Sequence, residues 1–288
     1  MKTVLLTGRN GFIGSRLAAE LKERHRVVSV IRHKKADIDY SGEEIIFSSV
    51  SGLNAEEITA QAVDLVVHLA AMVRGEAGSI EQNNIESSRH LFQMCESLKV
   101  PVLFLSSANA IYFNQLGSYA YSKKVCEDIL RTSRLSFLIV RVPWVIGPKS
   151  PLVLSAQRFY RRLGFFPLLG PSLGQIQPVP IASFVQTICD MINSAQFPGS
   201  TVHIIGKTTY QYREILEKVL DSSKTRFLLM PYKFSLGLAV LFEKIRVPFF
   251  VSSEEIKSVN MDKRVDETYG DRVILENNEE LLFKGIIS

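Results

Sequence analysis

The 288-residue sequence predicts an α/β fold in which a doubly wound parallel sheet is covered by helices. Two observations favour this class. Short apolar runs recur along the first two-thirds of the chain, and segments with helical spacing separate them. These runs lack the alternating polar residues of a half-buried strand, so both of their faces are expected to be buried. Right-handed crossovers then limit the possible topologies to a few.

The predicted elements follow one another along the chain. The first strand, Val4–Thr7, precedes a helix whose apolar residues recur at helical spacing: Ile13, Leu17, Ala18 and Leu21. Further strands are predicted at residues 27–31, 44–47, 63–69, 102–105, 137–142 and 202–205. Further helices are predicted at residues 55–61, 85–98, 120–134, 183–193 (capped by Ser183) and 234–242, the last as a buried helix. Residues 149–180 are rich in Pro and Gly and are predicted to be loop-rich.

Composition excludes several classes of protein. No apolar run reaches the roughly 18 residues that a membrane span needs, and the N-terminus has no signal-peptide pattern. Cys95, Cys126 and Cys189 are odd in number and form no CxxC pair, which favours reduced thiols and no metal site. The net charge of +5 is not gathered into a basic run with aromatics. We therefore expect a cytoplasmic protein without a nucleic-acid or membrane partner.

A glycine-rich turn of the form TGxxGxxG follows the first strand. Its glycines permit a tight turn, close approach of the backbone to a pyrophosphate, and close helix–strand packing. The N-terminus of the next helix offers unpaired N–H groups and a positive dipole end. The turn therefore predicts a Rossmann-type dinucleotide site. Its expected cofactor-binding residues are Gly8, Arg9, Asn10, Gly11, Phe12, Ile13 and Gly14.

The end of the second strand distinguishes between two dinucleotides. An NAD site usually has Asp or Glu there, and an NADP site uses Arg. Here Arg32 begins the run Arg32–Lys35, and no carboxylate occurs before Asp37. Arg32, with Arg9 of the glycine turn, could flank a 2′-phosphate through charge-assisted hydrogen bonds. NADP is favoured, and NAD stays open.

Tyr119 and Lys123 form a YxxxK pattern at the start of a predicted helix. Their four-residue spacing places both side chains on one helix face. A phenol with a pKa near 10 is a poor acid–base catalyst at neutral pH, and a neighbouring ammonium favours its phenolate. The pair could therefore exchange a proton with a hydroxyl or carbonyl while a nicotinamide exchanges hydride.

Six segments in order across residues 1–150 resemble the extended short-chain dehydrogenase/reductases, the group usually labelled the NAD-dependent epimerase/dehydratase family. They are the glycine turn, the YxxxK pattern, and residues 63–71, 84–91, 104–107 and 141–148. The resemblance implies a Rossmann-type core of residues 1–150, to which residues 181–206 return. It also implies a substrate-binding region of residues 151–180 and 207–288. Beyond residue 150 the likeness is diffuse.

The resemblance also implies roles for single residues. In this family a Ser or Thr hydroxyl bonds the reacting oxygen, the tyrosine transfers the proton and the lysine holds the nicotinamide ribose. The catalytic residues are then Tyr119, Lys123 and Ser107, although Ser106 is an alternative and counting back from Tyr112 puts Ala108 at that position. The further cofactor contacts are then Leu69, Ala70, Ala71, Asn84 and Pro143. His68 is expected to be a buried, hydrogen-bonded packing residue.

The implied function is an NAD(P)-dependent oxidoreductase or epimerase acting on a secondary alcohol or ketone, such as a nucleotide-linked sugar. Relatives are often homodimers. Two departures from the sugar-nucleotide enzymes weigh against a sugar-nucleotide substrate: the short segment between Ser107 and Tyr119, and Trp144 where those enzymes often have Asn. Reductase, epimerase and dehydratase activities all stay open. The alternative is a dinucleotide-binding sensor or assembly subunit that lacks catalysis.

Overall fold

The computed structural model describes residues 1–73, 75–194, 197–220, 226–244 and 252–286. The strands are β1 (Thr3–Thr7), β2 (Arg26–Ile31), β3 (Glu43–Phe47), β4 (Leu65–His68), β5 (Val102–Ser107), β6 (Phe137–Val142), β7 (Val145–Ile146), β8 (Phe166–Leu169), β9 (Gln175–Ile176), β10 (Val179–Pro180), β11 (Pro198–Gly206), β12 (Tyr210–Gln211), β13 (Phe227–Met230) and β14 (Arg272–Leu275). The helices are α1 (Phe12–Leu21), α2 (Ala55–Ala60), α3 (Ala77–Leu98), α4 (Phe113–Leu116), α5 (Ser118–Thr132), α6 (Pro151–Leu163), α7 (Ile181–Ser194), α8 (Tyr212–Val219), α9 (Tyr232–Lys244), α10 (Ser253–Val259) and α11 (Glu279–Phe283).

Eight parallel strands form the main sheet, in the order β14-β11-β6-β5-β4-β1-β2-β3. The strand order reverses at β1, because the chain adds β2 and β3 on one side and β4, β5 and β6 on the other. In doubly wound folds, ligands bind beyond the carboxyl ends of the strands at such a reversal. The predicted fold class is confirmed, and the glycine turn lies at this reversal.

Two apolar cores cover the two faces of the sheet. On one face Leu6, Leu103 and Val140 pack with residues of α1 and α7. On the other face Leu5, Val66 and Phe104 pack with residues of α3 and α5. The inner strands, such as β1, β4, β5 and β6, are therefore buried on both faces, which explains why their sequences are largely apolar.

Three helices differ from their predicted form. α6 occupies residues 151–163 of the predicted loop-rich stretch. The cluster of Arg158, Arg161 and Arg162 favours an amphipathic helix with an exposed basic face there, and the structure confirms it. Pro151 is tolerated in the first turn of this helix, because its missing N–H would have no intrahelical partner. Ser183 lies inside α7 rather than capping it. Residues 234–242 are helical as predicted but are not a buried helix, since Phe234 and Leu241 are 59% and 54% exposed.

The C-terminal part of the chain contributes to both the sheet and a smaller lobe. β14 adds the last strand to the main sheet beside β11. Short strands pair as β7–β10, β9–β12 and β8–β13 outside the main sheet, and a third apolar cluster joins residues of α6, α8 and α11. Among the helices in the described ranges, none is long and apolar enough to cross a membrane.

Candidate functional site

The glycine turn approaches the end of β4 very closely. Gly8 has φ +76°, and a Cβ built on it would lie 2.7 Å from the Ala70 amide nitrogen. A Cβ on Gly14 would lie 2.2 Å from the Gly8 carbonyl oxygen. Neither position has room for a larger residue without a backbone shift. α1 begins directly after Gly11, whose position has no side-chain cap, so the first N–H groups of the helix remain open to an anion.

The residues after β4 border this turn. The Thr7 hydroxyl accepts a hydrogen bond from the Ala70 amide at 3.3 Å, and the Leu69 amide donates to the Thr7 carbonyl. Leu69, Ala70 and Ala71 are half-buried, so part of their surface is available to a ligand. The shape of the turn and its free helix N-terminus fit the pyrophosphate of a dinucleotide.

His68 is a packing residue, as the sequence indicated. Its ring is fully buried, lies 2.7 Å from the Thr7 hydroxyl and 3.0 Å from the Ser88 hydroxyl, and stacks on Phe104. Burial lowers the pKa of His68 to about 3, and the Lys123 ammonium contributes in the same direction. The imidazole is therefore neutral at physiological pH and ties β1 to β4 and α3.

Arg9 does not take the position that the sequence suggested. Its side chain is 2% exposed, and Nε and Nη2 donate to the Glu43 carboxylate, while Nη2 also donates to the Asp39 carbonyl. The prediction that Arg9 flanks a 2′-phosphate is therefore corrected, because a buried carboxylate already neutralises its charge. Only Nη1 has no hydrogen-bond partner among the described residues.

The segment after β2 is hydrogen-bonded to the glycine turn. Asn10 accepts a hydrogen bond from the Tyr40 hydroxyl and donates to the His33 carbonyl, and Lys35 Nζ donates to the Asn10 carbonyl. Arg32 is exposed at the end of β2. The cations that remain available at this end of the site therefore come from the 32–35 segment.

Tyr119 and Lys123 lie on the first two turns of α5. Gly117 precedes the helix with φ +78°, and the Ser118 amide donates to a Glu254 carboxylate oxygen at 2.8 Å. Lys123 is 3% exposed, and its Nζ donates to the Leu105 carbonyl at 2.7 Å and lies 4.5 Å from the Phe104 ring centroid. The lysine ammonium is thus held at the carboxyl end of β5.

The pKa of Tyr119 moves in the direction opposite to the one predicted from the YxxxK pattern. Burial raises the pKa of Tyr119 to about 12, so the phenol is protonated across the neutral range. Burial also lowers the pKa of Lys123 to about 8, against the opposing effects of Cys126 and Glu127. Desolvation is the larger cause of the rise at Tyr119 and Cys126 acts in the same direction, so the lowered pKa expected from a neighbouring ammonium is not found.

The three positions considered for the assisting hydroxyl differ in their burial and hydrogen bonds. Ser106 is buried and donates to the Glu127 carboxylate at 2.5 Å. Ala108 is buried against Ile205 and Val265. Ser107 is half-buried, and its oxygen accepts from the Asn109 amide, which leaves its own proton available. Of the three, only Ser107 keeps a free hydroxyl donor.

Asn84 does not present its side chain to a cofactor. It is 4% exposed, accepts from the Met72 amide, and donates to the Met72 carbonyl and the Ser122 hydroxyl. Both of its N–H donors are therefore used inside the protein. The prediction of a cofactor contact is corrected: Asn84 joins the segment after β4 to α5, between the two halves of the site.

Sequence reasoning missed several residues that support the site. Glu127 is fully buried, and Arg141 and Arg131 hold its pKa below the usual range against the effect of burial. Lys263 is 3% exposed, and its Nζ donates to the Ser258 hydroxyl and lies 5.6 Å from the ring centroid of Trp144. Trp144 follows Pro143 in the sequence, and Pro143 is half-buried. The four-residue spacing of Glu127 and Arg131 on α5 is the one local signal among these contacts.

Comparison with known proteins identifies a family and several relatives with similar sequences. A model of the NAD dependent epimerase/dehydratase family matches residues 4–163. A sterol-4-alpha-carboxylate 3-dehydrogenase, decarboxylating, from Dictyostelium discoideum is 25% identical over 180 residues. A UDP-2-acetamido-2,6-beta-L-arabino-hexul-4-ose reductase from Pseudomonas aeruginosa is 29% identical over 133 residues. These matches cover 52% and 44% of this chain, but only 55% and 30% of the relatives.

The fold also matches solved structures over nearly the whole chain. A UDP-glucuronic acid 4-epimerase from Bacillus cereus in complex with NAD superposes with a TM-score of 0.66. The match covers 91% of this chain and 97% of the other, at 17% identity. At that identity the similarity concerns the fold.

Proposed function

Because the chain belongs to the NAD dependent epimerase/dehydratase family, we propose that it is an NAD(P)-dependent enzyme that reduces or epimerises a nucleotide-linked sugar. The observation that supports this most strongly is the arrangement at the strand reversal. The glycine turn fits a pyrophosphate at one end of the site, and Lys123 is anchored to the Leu105 carbonyl at the other. The named relatives, a dehydrogenase and a sugar reductase, carry out chemistry of this class.

The residues of the chain have separate tasks in this proposal. Gly8, Gly11 and Gly14 would hold the pyrophosphate, and Lys123 would hold the nicotinamide ribose. When bound, the nicotinamide supplies the hydride donor or acceptor. Tyr119 donates its phenolic proton to the substrate oxygen as a ketone is reduced, and recovers a proton in the reverse direction.

Substrate turnover tests the proposal directly. The purified chain is incubated with NADPH and a UDP-linked 4-keto sugar, and separately with NADP or NAD and UDP-glucose or UDP-N-acetylglucosamine. We expect loss of reduced nicotinamide absorbance with the keto sugar, or formation of an epimer detected by NMR. Dinucleotide binding without turnover of any of these sugars would favour the non-catalytic alternative.

Ser106 and Ser107 form a matched pair for testing the assisting hydroxyl. We propose that Ser107 donates a hydrogen bond to the reacting oxygen. Ser107→Ala is then expected to lower kcat by about 10²–10³-fold, because one preorganised donor to the developing charge is lost. Ser106→Ala is expected to keep kcat within a few-fold but to cost about 1–3 kcal/mol of stability, because Glu127 loses a buried donor. The reverse pattern in kcat and thermal unfolding would assign the role to Ser106.

Arg32 tests the proposed preference for NADP. We propose that this exposed arginine contacts the 2′-phosphate, together with the other cations of residues 32–35. Arg32→Ala is expected to weaken NADP binding by about 10- to 100-fold, the worth of a hydrogen bond between charged groups, and to leave NAD binding unchanged. Calorimetry with both dinucleotides measures this, with the exposed Arg24→Ala as control. Equal loss for NAD and NADP would contradict it.

A further inference from the structure

Lys263, in the segment that follows α10, is a buried cation without a counter-ion. Among the described residues, the buried lysines and arginines are Arg9, Lys123 and Lys263. Arg9 pairs with the Glu43 carboxylate, and Lys123 is bonded to the Leu105 carbonyl and is the proposed ribose ligand. Within the described ranges, Lys263 forms no ion pair. Burying an ionised ammonium without an opposite charge is unfavourable, so this lysine calls for a functional explanation.

The ammonium of Lys263 has hydrogen-bonding capacity that the described part of the chain does not use. An ammonium has three donors, and one of them goes to the Ser258 hydroxyl at 2.6 Å. Nζ also lies over the Trp144 ring, whose π face attracts a cation. The charges adjacent in sequence, Asp262 and Arg264, are exposed and pair with each other. Two donors of Lys263 therefore remain for an acceptor that a ligand brings.

The fold places Lys263 at the edge of the sheet where the proposed catalytic residues lie. β5 and β6 pair up to their last residues, and Ser107 is the last residue of β5. Trp144 follows the end of β6 by two residues, and Val265 packs against the residue directly after Ser107. The backbone of Lys263 is fixed as well, because its amide donates to the Gln175 carbonyl at 2.8 Å. Lys263 thus lies beyond the carboxyl ends of β5 and β6, where doubly wound folds bind ligands.

The charge and burial of this position suit a carboxylate better than a diphosphate. One ammonium neutralises one carboxylate through charge-assisted hydrogen bonds, whereas a diphosphate linked to a nucleoside and a sugar carries two negative charges. A carboxylate is also a terminal group that can enter an enclosed position, while a diphosphate is linked on both sides. Because Lys263 is 3% exposed, a terminal anion fits it better.

We propose that Lys263 binds a carboxylate on the sugar of the substrate, so that the enzyme prefers a nucleotide-linked acidic sugar such as a uronic acid. This inference rests on the proposed function and names the substrate class of the same site. The carboxylate would accept hydrogen bonds from Lys263 while the reacting oxygen of the sugar meets Ser107. It would also supply the counter-charge that Lys263 lacks among the described residues.

Calorimetry with the full chain, saturated with NADP, tests the proposal. The probes are UDP-glucuronic acid and UDP-glucose, which differ only in a carboxylate in place of a hydroxymethyl group. Lys263→Met removes the charge and keeps the length of the side chain. The control, Lys257→Met, makes the same change at an exposed lysine of α10.

We expect the wild type to bind UDP-glucuronic acid more tightly than UDP-glucose. Lys263→Met should weaken UDP-glucuronic acid binding by about 10- to 100-fold, the worth of a hydrogen bond between charged groups, and should leave UDP-glucose binding unchanged. Lys257→Met should bind both probes as the wild type does.

The pH dependence of binding gives a second measurement. Burial lowers the pKa of Lys263 to about 8, so the ammonium is present at pH 7 and largely lost at pH 9. The affinity of the wild type for UDP-glucuronic acid should therefore fall about tenfold over this range, because binding must first restore the proton. UDP-glucose binding, and UDP-glucuronic acid binding by Lys263→Met, should lack this fall.

Thermal unfolding of the ligand-free chain separates a binding role from a structural one. Replacing a buried charge that has no counter-ion by an apolar side chain removes a desolvation cost, so Lys263→Met should be at least as stable as the wild type. A less stable Lys263→Met with unchanged affinity for UDP-glucuronic acid would make Lys263 structural and overturn the proposal.

The two UDP sugars also separate this inference from the proposed function. Equal affinity of the wild type for both probes would overturn the inference alone. Equal weakening of both by Lys263→Met would assign the lysine to the diphosphate and would likewise overturn it. If neither UDP sugar bound to the NADP-saturated chain, the proposed function would fail, and this inference with it.

Discussion

Tyr119→Phe is expected to lower kcat by about 10²–10⁴-fold, the usual contribution of a positioned acid or base. The substitution removes the phenolic proton and keeps the ring, so the packing at the start of α5 is retained. Because burial raises the pKa of Tyr119 to about 12, the wild-type phenol supplies its proton throughout the neutral range. The affinity for the dinucleotide should change little. Single-turnover measurement of nicotinamide oxidation isolates the step.

Tyr121→Phe is the matched control for this experiment. Tyr121 lies on the same turn of α5 but is 42% exposed, next to Phe113. Its loss of a hydroxyl should leave the single-turnover rate within a few-fold of wild type. If Tyr119→Phe reacted as fast as Tyr121→Phe, proton transfer by Tyr119 would be excluded.

Gly8→Ala is expected to weaken dinucleotide binding severely and to destabilise the fold. Alanine at φ +76° costs about 1–2 kcal/mol, and its methyl group would press on the Ala70 backbone at 2.7 Å. Forcing extra volume into such a packed position costs about 1–3 kcal/mol more. The shift needed to relieve the contact would move the turn away from the end of β4, and the pyrophosphate would lose its backbone donors. Calorimetry with NADP and thermal unfolding measure the two effects.

Gly78→Ala is the control, because a Cβ built on Gly78 at the start of α3 meets nothing within 4 Å. Alanine is favoured over glycine in a helix by up to about 1 kcal/mol, so this variant should be as stable as wild type or slightly more so. NADP binding should be unchanged. Normal NADP binding by Gly8→Ala would show that the close approach at Gly8 is not needed for the cofactor.

The features that the sequence predicted are those carried by neighbouring residues. The inner strands of the main sheet, such as β1, β4, β5 and β6, were predicted because burial on both faces makes each of them apolar by itself. The glycine turn was predicted because its three glycines are confined to seven residues. Lys123 lies one helical turn after Tyr119 on α5 because a YxxxK pattern on a helix sets that spacing, and its role at the site stays a prediction.

The features that the sequence did not predict depend on contacts between distant parts of the chain. Arg9 was interpreted as a phosphate ligand because nothing near it in sequence indicates the Glu43 carboxylate, which β3 brings beneath it. Asn84 bonds Met72 and Ser122, and neither contact follows from helical spacing. The raised pKa of Tyr119 has the same origin, since burial by the whole fold decides it. β14 has an apolar run of only three residues, Val273–Leu275, and its place beside β11 depends on a pairing between distant parts of the chain.

Because β14 lies late in the chain, the edge of β11 stays unpaired during much of synthesis. In the part of the chain that the structure describes, residues 272–275 alone cover the outer edge of β11, and they leave the ribosome after all the other strands of the main sheet. Until then, the nascent chain presents an open row of backbone N–H and C=O groups along β11, a template for pairing with other chains. Premature termination before Arg272 would leave that row permanently open. Such fragments should aggregate or become chaperone substrates, even though they contain every residue of the proposed active site.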